Sequence, residues 1–437
     1  MRISKPTLIC LGWILLMAVA LMATETGEIQ GKVVDDSGEA LPGVAITAQS
    51  PSLQGVRAVL TSKNGEYRLP LLPIGRYTLA FSLEGFSSVI QENVIVRLGR
   101  VTTLDITMRL SEIKEEVVVT AVSPLIDKTA IDTSFYLGSE DLESLPSQNR
   151  TVVDVVKFAP GVSGVRVNTR RGLSTQGQPS IRGEGEEGNN WLLDGLSISG
   201  VRLRTSGMPL NYDSIEEIQV ISDPFSPEYG SAYGGIINMV TKSGGNQFSG
   251  NFSLVFQNKH LQAERQDQLA VVSEADKFSN YNWFLNLGGP VVKDKIWFFI
   301  SNNLFSDIIE TRDDTIDYLD IPGGSLSTQR NNLFIKLSYA VANNHNLSLT
   351  ASYNASVGQD GGIGFPELHE KHDFSDLLFR VNYKGILSAS VFIEAGLGQV
   401  KRDSLIEPQD GDLGPAQYYI EDLDRNINNS YGNVVDD

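Results

Sequence analysis

The chain has 437 residues, too many for one ordinary core and enough for about three units. With 41% hydrophobic and 20% charged residues it is not disordered as a whole, and a formal charge of −18 leaves no room for a dominant basic face, which argues against nucleic-acid binding. The same totals do not exclude a membrane protein, because a β-barrel alternates lipid-facing and lumen-facing residues and keeps a soluble-looking mean hydropathy.

Residues 1–23 read as an export signal. Arg2 and Lys5 form the positive region, and Leu8 to Leu21 is an apolar run short for a bilayer span. Ala18-Val19-Ala20 and Leu21-Met22-Ala23 both offer small-residue cleavage sites; a membrane anchor is the competing reading. The only cysteine, Cys10, lies inside this run, so the exported chain carries none and has no disulfides.

From 24 to 110, short alternating runs are broken by turn residues. Ile29 to Val34 leads to the turn Asp35-Asp36-Ser37-Gly38, Gly43 to Ala48 alternates, and Lys63-Asn64-Gly65-Glu66 reads as a hairpin turn. Tyr67 and Leu69 share a face, and Tyr77 to Ser82 follows the turn Pro73-Ile74-Gly75. This spacing predicts a small β-sandwich. The runs G-K-V-V-D-D-S-G-E-A-L-P-G-V-A-I, T-S-K-N-G-E-Y-R-L and G-R-Y-T-L-A-F-S-L-E-G-F resemble the carboxypeptidase regulatory-like domain, a transthyretin-like sandwich. The resemblance implies a binding or spacer module. A peptidase is rejected, because these residues supply no histidine and no cluster of zinc ligands.

Residues 111–125 contain Glu115-Glu116-Val117-Val118-Val119-Thr120-Ala121, closed by Pro124. The β-branched run favours an extended strand. Nothing obvious in the neighbouring sequence pairs with it. It is either the last edge strand of the sandwich or a strand offered to a partner by β-augmentation.

Residues 126–245 open with two short predicted helices. Ser139 to Leu145 has Ser139 as a candidate cap and acid in its first turn. In the second, after Thr151, Val152, Val155, Val156 and Ala159 recur at helical spacing until Pro160-Gly161. Glycine-rich short strands follow, including Ser180 to Gly183, Trp191 to Gly195, Ile215 to Ile221 and Glu228 to Lys242. With R-T-V-V-D-V-V-K-F-A-P-G-V, this order resembles the plug domain of TonB-dependent outer-membrane receptors over about a hundred residues. The resemblance implies that Glu115 to Ala121 is the Ton box. It implies a plug motif at Pro160, Gly161, Arg182, Gly183, Asp194, Gly195, Tyr229, Gly230, Gly234 and Gly235. Gly183-Glu184-Gly185-Glu186-Glu187-Gly188 also satisfies a dinucleotide fingerprint. A strand pattern follows it instead of a helix N-terminus, and three glutamates repel phosphate, so it reads as an acidic loop.

Residues 246–437 change to longer period-two runs. In Asn346 to Ala355, Leu347, Leu349, Ala351, Tyr353 and Ala355 take one face and polar residues the other. The sets Phe248–Phe256, Tyr281–Leu287, Leu333–Val341, Phe379–Tyr383 and Val391–Leu397 repeat the pattern; Lys295 to Phe305 starts apolar on both faces, which suggests contact with the plug. Each run approaches the ~9–11 residues of a tilted membrane strand. Tight turns at Pro290 to Lys293, Ala342 to His345 and Gly385 to Leu387 alternate with long polar links near 258–277, 306–328 and 356–375 and from 402 onward. Short periplasmic turns and long outer loops alternate in this way in outer-membrane barrels.

The predicted fold is therefore mainly β: a transthyretin-like sandwich, an α+β plug and about seven strands of an incomplete antiparallel barrel. A plugged transporter barrel has about 22 strands, so a truncated or split product is expected. G-G-P-V-V-K-D-K-I-W-F-F resembles the Oar-like branch of the receptor family. The family resemblance implies a Gram-negative-type outer membrane, with sandwich and Ton box in the periplasm. It also implies TonB with its inner-membrane energising complex, outer-membrane lipid and an extracellular substrate as partners.

No enzyme, cofactor or metal site is expected. His369 and His372 flank Glu370 without the zinc-protease spacing, in what reads as an outer loop. Asp410, Asp412, Asp422 and Asp424 lack a calcium-loop pattern. Two functions stay open: an energy-coupled importer, and an adhesion, signalling or structural receptor without transport.

Overall fold

The computed structural model describes residues 25–110, 116–119, 133–145, 151–166, 178–184, 188–200, 212–223, 229, 232–261, 275–311, 314–316, 319–321, 325–342, 344–361, 370–388, 391–408, 416–420 and 425–429. The predicted export signal, Gly230, His369 and the four late aspartates lie outside the described residues.

Strands β1 (Gly27–Asp35), β2 (Ala45–Gln49), β3 (Arg57–Leu60), β4 (Glu66–Leu72), β5 (Gly75–Ser82), β6 (Ser88–Val96), β7 (Val101–Thr103) and β8 (Ile106–Met108) make the sandwich. One sheet runs β4-β1-β7 with β8 also on β1, and the other runs β3-β2-β5-β6 and continues to β9 (Glu116–Val119). Alternation sends Ile29, Val33, Val44, Ile46, Tyr67, Leu69, Tyr77, Leu79 and Phe81 into one core, with Tyr67 edge-on to Phe81 at 5.7 Å. Each such side chain contributes about 1.5–3 kcal/mol on burial. The predicted turn at Asp35 is closed by its own carboxylate, which accepts from the Ser37 and Glu39 backbone N–H groups at 2.9 and 2.8 Å.

The plug contains β10 (Thr133–Gly138), α1 (Ser139–Ser144), α2 (Val152–Val156), β11 (Val162–Arg166), β12 (Gln178–Ile181), β13 (Asn190–Leu193), β14 (Leu196–Ser197), β15 (Ile215–Asp223) and β16 (Ile236–Thr241). Its main sheet has the order β10-β15-β16-β13-β14, with β13 parallel to β16. Both predicted helices form, but the cap of α1 sits one residue earlier than expected. Gly138 is the capping position, and its N–H donates to the carboxylate of Asp141 at 3.0 Å. Ser139 is the first helical residue, which leaves Asp141 at the third, the position from which an acid reaches back. Helix α2 is capped by Thr151, whose hydroxyl accepts from Asp154 N–H at 3.2 Å. Val152, Val155, Val156 and Ala159 are buried as their spacing predicts.

Seven antiparallel strands form the wall: β17 (Ser249–Asn258), β18 (Ala275–Val292), β19 (Ile296–Thr311), β22 (Ser325–Ala342), β23 (His345–Gly361), β24 (Glu370–Ser388) and β25 (Val391–Pro408). Two small hairpins, β20 (Asp314–Ile316) with β21 (Leu319–Ile321) and β26 (Ala416–Ile420) with β27 (Arg425–Asn429), stand apart from this sheet. The strand number matches the sequence, but the lengths do not. Six of the seven span 16–19 residues, because pairing continues past the apolar band into segments that read as polar loops. One turn falls at Lys293–Lys295 instead of Pro290–Lys293, and β24 runs through Gly385 to Ser388. His372 accordingly lies in β24, buried and stacked on Phe374, and not in an outer loop.

The wall is inside out relative to a soluble protein. Thr350, Ser352 and Asn354 are buried, while Leu349 and Tyr353 are exposed; Phe252, Leu254, Trp283, Leu285, Leu337, Leu377 and Phe379 extend the exposed apolar face. The polar face looks onto the plug, and Leu378 joins the plug's apolar core. Trp297 and Phe299 are buried on the inner face of β19, as the doubly apolar start of that run predicts.

Candidate functional site: docking strand and plug seat

The β-branched run at 116–119 folds as β9, parallel to β6, with Ser88 opposite Glu116, Val89 opposite Val117, Ile90 opposite Val118 and Gln91 opposite Val119. The expectation that nothing nearby pairs with it is corrected by this contact. A bridge between Phe86 and Leu110, and a bond from Ser87 N–H to Arg109 C=O at 2.9 Å, lead the chain to that edge. β9 ends its sheet, so one of its hydrogen-bonding edges faces away from β6. Glu115, Thr120 and Ala121 lie outside the described residues.

The plug-motif residues gather at three turns. Gly161 has φ +79 after α2, and its carbonyl accepts from Arg182 N–H at 2.8 Å. Arg182 and Gly183 both turn with positive φ, and the Arg182 guanidinium pairs with Asp223 at the end of β15. Gly185, Glu186 and Glu187 lie outside the described residues; the chain resumes at Gly188 and enters β13 at Asn190, the strand that the pattern predicts.

Asp194 and Gly195, with φ +46 and +76, are the two central residues of the β13–β14 hairpin. That geometry is the tight primed turn that Asp-Gly favours. It points the Asp194 carboxylate inward, where it accepts from Thr241 N–H at 2.8 Å and Thr241 Oγ1 at 2.6 Å. Lys336 Nζ, from wall strand β22, completes the group at 3.2 Å. Both ions are buried, so the plug is tied to the wall by a desolvated pair.

At the third turn, the buried Tyr229 accepts from Asn190 Nδ2 through its carbonyl at 2.9 Å. Gly235 packs so closely that a Cβ there would lie 2.6 Å from Ile181 and 3.0 Å from the Ile221 carbonyl. Gly234 donates its N–H to the Gly188 carbonyl at 2.8 Å. These contacts hold β12, β13, β15 and β16 in register. Gly230 lies outside the described residues.

Other polar contacts complete the seat. Asn286 Nδ2 donates to Asp213 C=O at 3.3 Å and Arg402 donates to Ile198 C=O, while Trp297 Nε1 donates to Asn246 Oδ1 at 2.8 Å where the chain passes from plug to wall. The sandwich meets the short-turn end of the wall, where Arg57 Nη1 donates to Asn344 Oδ1 at 3.0 Å. Glu25 enters the wall and pairs with Arg380 and with Lys384, the latter at 3.0 Å. A cavity of about 930 Å³ lies at this junction of sandwich, plug and wall, with Glu25, Arg57, Glu216, Lys242 and Lys384 among its lining residues.

Sandwich and plug meet at Glu217. Its carboxylate accepts from Leu98 N–H at 2.9 Å and from Arg97 Nη1 at 3.3 Å, and nearby Tyr136 Oη accepts from Arg100 Nε at 2.6 Å. Burial pushes the Glu217 carboxyl up to about 7, against the pull of the Leu98 N–H and Arg97, while Glu216 adds to the rise. The folded protein therefore holds this proton more tightly than the unfolded chain, and the joint loses stability as pH rises from about 4.5 through 7. Glu217→Gln keeps an acceptor for Leu98 and removes the charge. Thermal unfolding at pH 5 and pH 8 is expected to show a smaller fall for the variant and a higher midpoint than the parent at pH 8.

Lys336, Thr241, Glu25, Arg380 and Glu217 were not among the expected site residues. A faint signal exists for Lys336 and Arg380: both are cations on the inward rows of wall strands, Lys336 in a row with Arg330 and Arg380 in a row with Asp376 and Lys384. Among the described residues, no group of three His, Cys, Asp or Glu side chains could hold a metal ion.

Comparisons with known proteins agree with this arrangement. Residues 28–109 match the family described as carboxypeptidase regulatory-like domain, 127–236 the TonB-dependent receptor plug domain, and 240–316 an outer membrane beta barrel domain. This order of domains makes the chain a member of the TonB-dependent outer-membrane receptor family, located in the outer membrane. It is 27% identical to the TonB-dependent transporter Oar of Myxococcus xanthus, over 78% of this chain and 34% of that protein. Similarity to the iron-regulated outer membrane virulence protein of Vibrio cholerae is 28% identity over 50% of this chain and 30% of that protein. The chain thus spans about a third of the length of these curated relatives. Among solved structures, the outer membrane transporter YddB of Escherichia coli aligns with TM-score 0.52 at 15% identity, covering 63% of this chain and 40% of that one, a likeness of fold.

Proposed function

We propose that the chain belongs to an energy-coupled importer, in which an extracellular substrate binds outer loops and plug apices. TonB, with its inner-membrane energising complex, then takes hold of residues 115–121 by β-augmentation and pulls on the plug. The observation that carries this reading is an extended strand, β9, with one edge unpaired among the described residues, joined along the chain to a plug seated by polar contacts inside an apolar-faced wall. Main-chain bonds along the strand would supply affinity and alternate side chains specificity. Among the described residues the seat is largely hydrogen bonds and the Asp194–Lys336 ion pair beside the apolar contact of Leu378, and its polar part exchanges partners with water when the plug moves, which a continuous apolar interface would resist.

On this reading the sandwich and Ton box lie in the periplasm, at the short-turn end of the wall. The protein binds and moves its substrate without transforming it, so it is not an enzyme. Residues 24–110, 111–125, 126–245 and 246–437 then act as spacer, coupling segment, gate and wall.

Deleting Glu115 to Ala121 in the whole receptor tests the proposal. The expected result is loss of uptake with substrate binding at the cell surface retained. Val118→Pro should act in the same direction, because proline removes a main-chain donor from the strand. Unchanged uptake in both variants would favour the adhesion, signalling or structural reading.

A further inference from the structure

The edge on which β9 lies is itself a strand-accepting surface. β6 is paired with β5 on one side, and its other side is filled by β9 over four residues in register. Parallel pairing is slightly weaker per residue than antiparallel pairing, and four residues make a short ladder. Such a contact is strong enough to place the segment and weak enough to be exchanged. The platform beneath it is fixed: Glu217 holds Arg97 and Leu98 just beyond the end of β6, and Glu25 anchors the start of the sandwich in the wall. β6 therefore stays in place when β9 leaves.

We propose that the sandwich is a cis-acting guard of the coupling segment, holding residues 116–119 on the edge of β6 so that they must be released before TonB can pair with them fully. The inference rests on the proposed role of residues 115–121. It assigns the sandwich a regulatory task in place of a spacer's. A partner strand that needs the β6-facing edge of β9 meets an occupied site. Apparent affinity then falls by the fraction of chains in which β9 is free. A segment free one time in ten binds about tenfold more weakly than the exposed peptide.

The sequence holds one cysteine, Cys10, within the predicted export signal, and none from residue 24 onward, which allows a clean test. Ile90→Cys with Val118→Cys joins positions opposite each other in the β6–β9 register, and Ile90→Cys with Glu116→Cys is out of register by two residues. Both pairs are introduced into the complete chain and treated with a short, reducible bifunctional methanethiosulfonate. The in-register pair should cross-link faster than the offset pair. Its cross-linked form should bind the purified C-terminal domain of TonB at least tenfold more weakly than the same protein after reduction. Equal cross-linking of the two pairs would overturn the pairing, and equal TonB affinity before and after reduction would overturn the guarding role. A synthetic peptide of residues 112–124 separates the two layers of argument. If peptide and reduced protein both fail to bind the TonB domain, the coupling role fails, whatever the cross-linking shows. If the peptide binds at least as tightly as the reduced protein and the cross-link weakens binding, the guard stands.

Discussion

Asp194→Asn is expected to loosen the plug in the wall more than any other single polar substitution in the hairpin. The asparagine tolerates the positive φ of this turn and can still accept from Thr241 N–H, so backbone strain and capping change little. What changes is that Lys336 Nζ, buried on the inner face of β22, loses its directly bonded counter-charge, with Glu25 and Glu216 remaining as more distant acids. Leaving one member of a buried pair costs about 3–5 kcal/mol, far above the ~1 kcal/mol of an ordinary surface pair. A lower thermal midpoint in detergent and faster trypsin cleavage of the plug are expected. Replacing both members, Asp194→Asn with Lys336→Met, should recover most of the loss, because the uncompensated charge is gone and the methionine fills similar volume. If the single variant melts like the parent, the pair does not secure the seat.

The second large effect is expected from Glu25→Ala. Glu25 is buried between Arg380, Lys384 and Asn382 of β24, with Asn382 Nδ2 at 3.2 Å. Burial alone would raise its carboxyl, but Lys384 and Arg380 outweigh it and hold the group well below the usual carboxylate range. Removing the carboxylate leaves two cations of β24 near each other, with Glu394 still beside Lys384 at 3.3 Å. The cost is again of the order of 3–5 kcal/mol, and it falls on the contact between sandwich and wall. Faster proteolytic separation of the sandwich from the wall is the expected readout. Glu25→Gln should lie between the variant and the parent, since it keeps hydrogen bonding and loses charge.

The two predictions also show which parts of the molecule are legible in a sequence. Strand identity in the wall is legible because one physical rule, lipid outside and plug inside, forces strict alternation: Leu349 and Tyr353 out, Thr350 and Ser352 in. Strand length is not, because hydrogen bonding runs on into polar segments where alternation no longer marks the lipid. That is why His372 reads as a loop residue and is found buried in β24. The turn residues of the plug, such as Asp194-Gly195, are legible because only a few residue types accept their φ values. Their partners are not: Lys336 is 142 positions away from Asp194 and is brought there by the docking of the plug on the inner face of the wall. The pairing of β9 with β6 is not legible for a similar reason. A parallel partner is chosen by the path of the chain, here through Arg109 and Leu110 beside Ser87 and Phe86, and no local pattern encodes it.

Residues 115–121 are the proposed point at which force enters, and titration of the purified TonB C-terminal domain into the complete chain in detergent measures that directly. The parent should bind with one-to-one stoichiometry, and Val118→Pro should weaken binding at least tenfold while leaving the thermal midpoint of the plug and wall unchanged. Equal affinity for parent and variant would contradict the central claim.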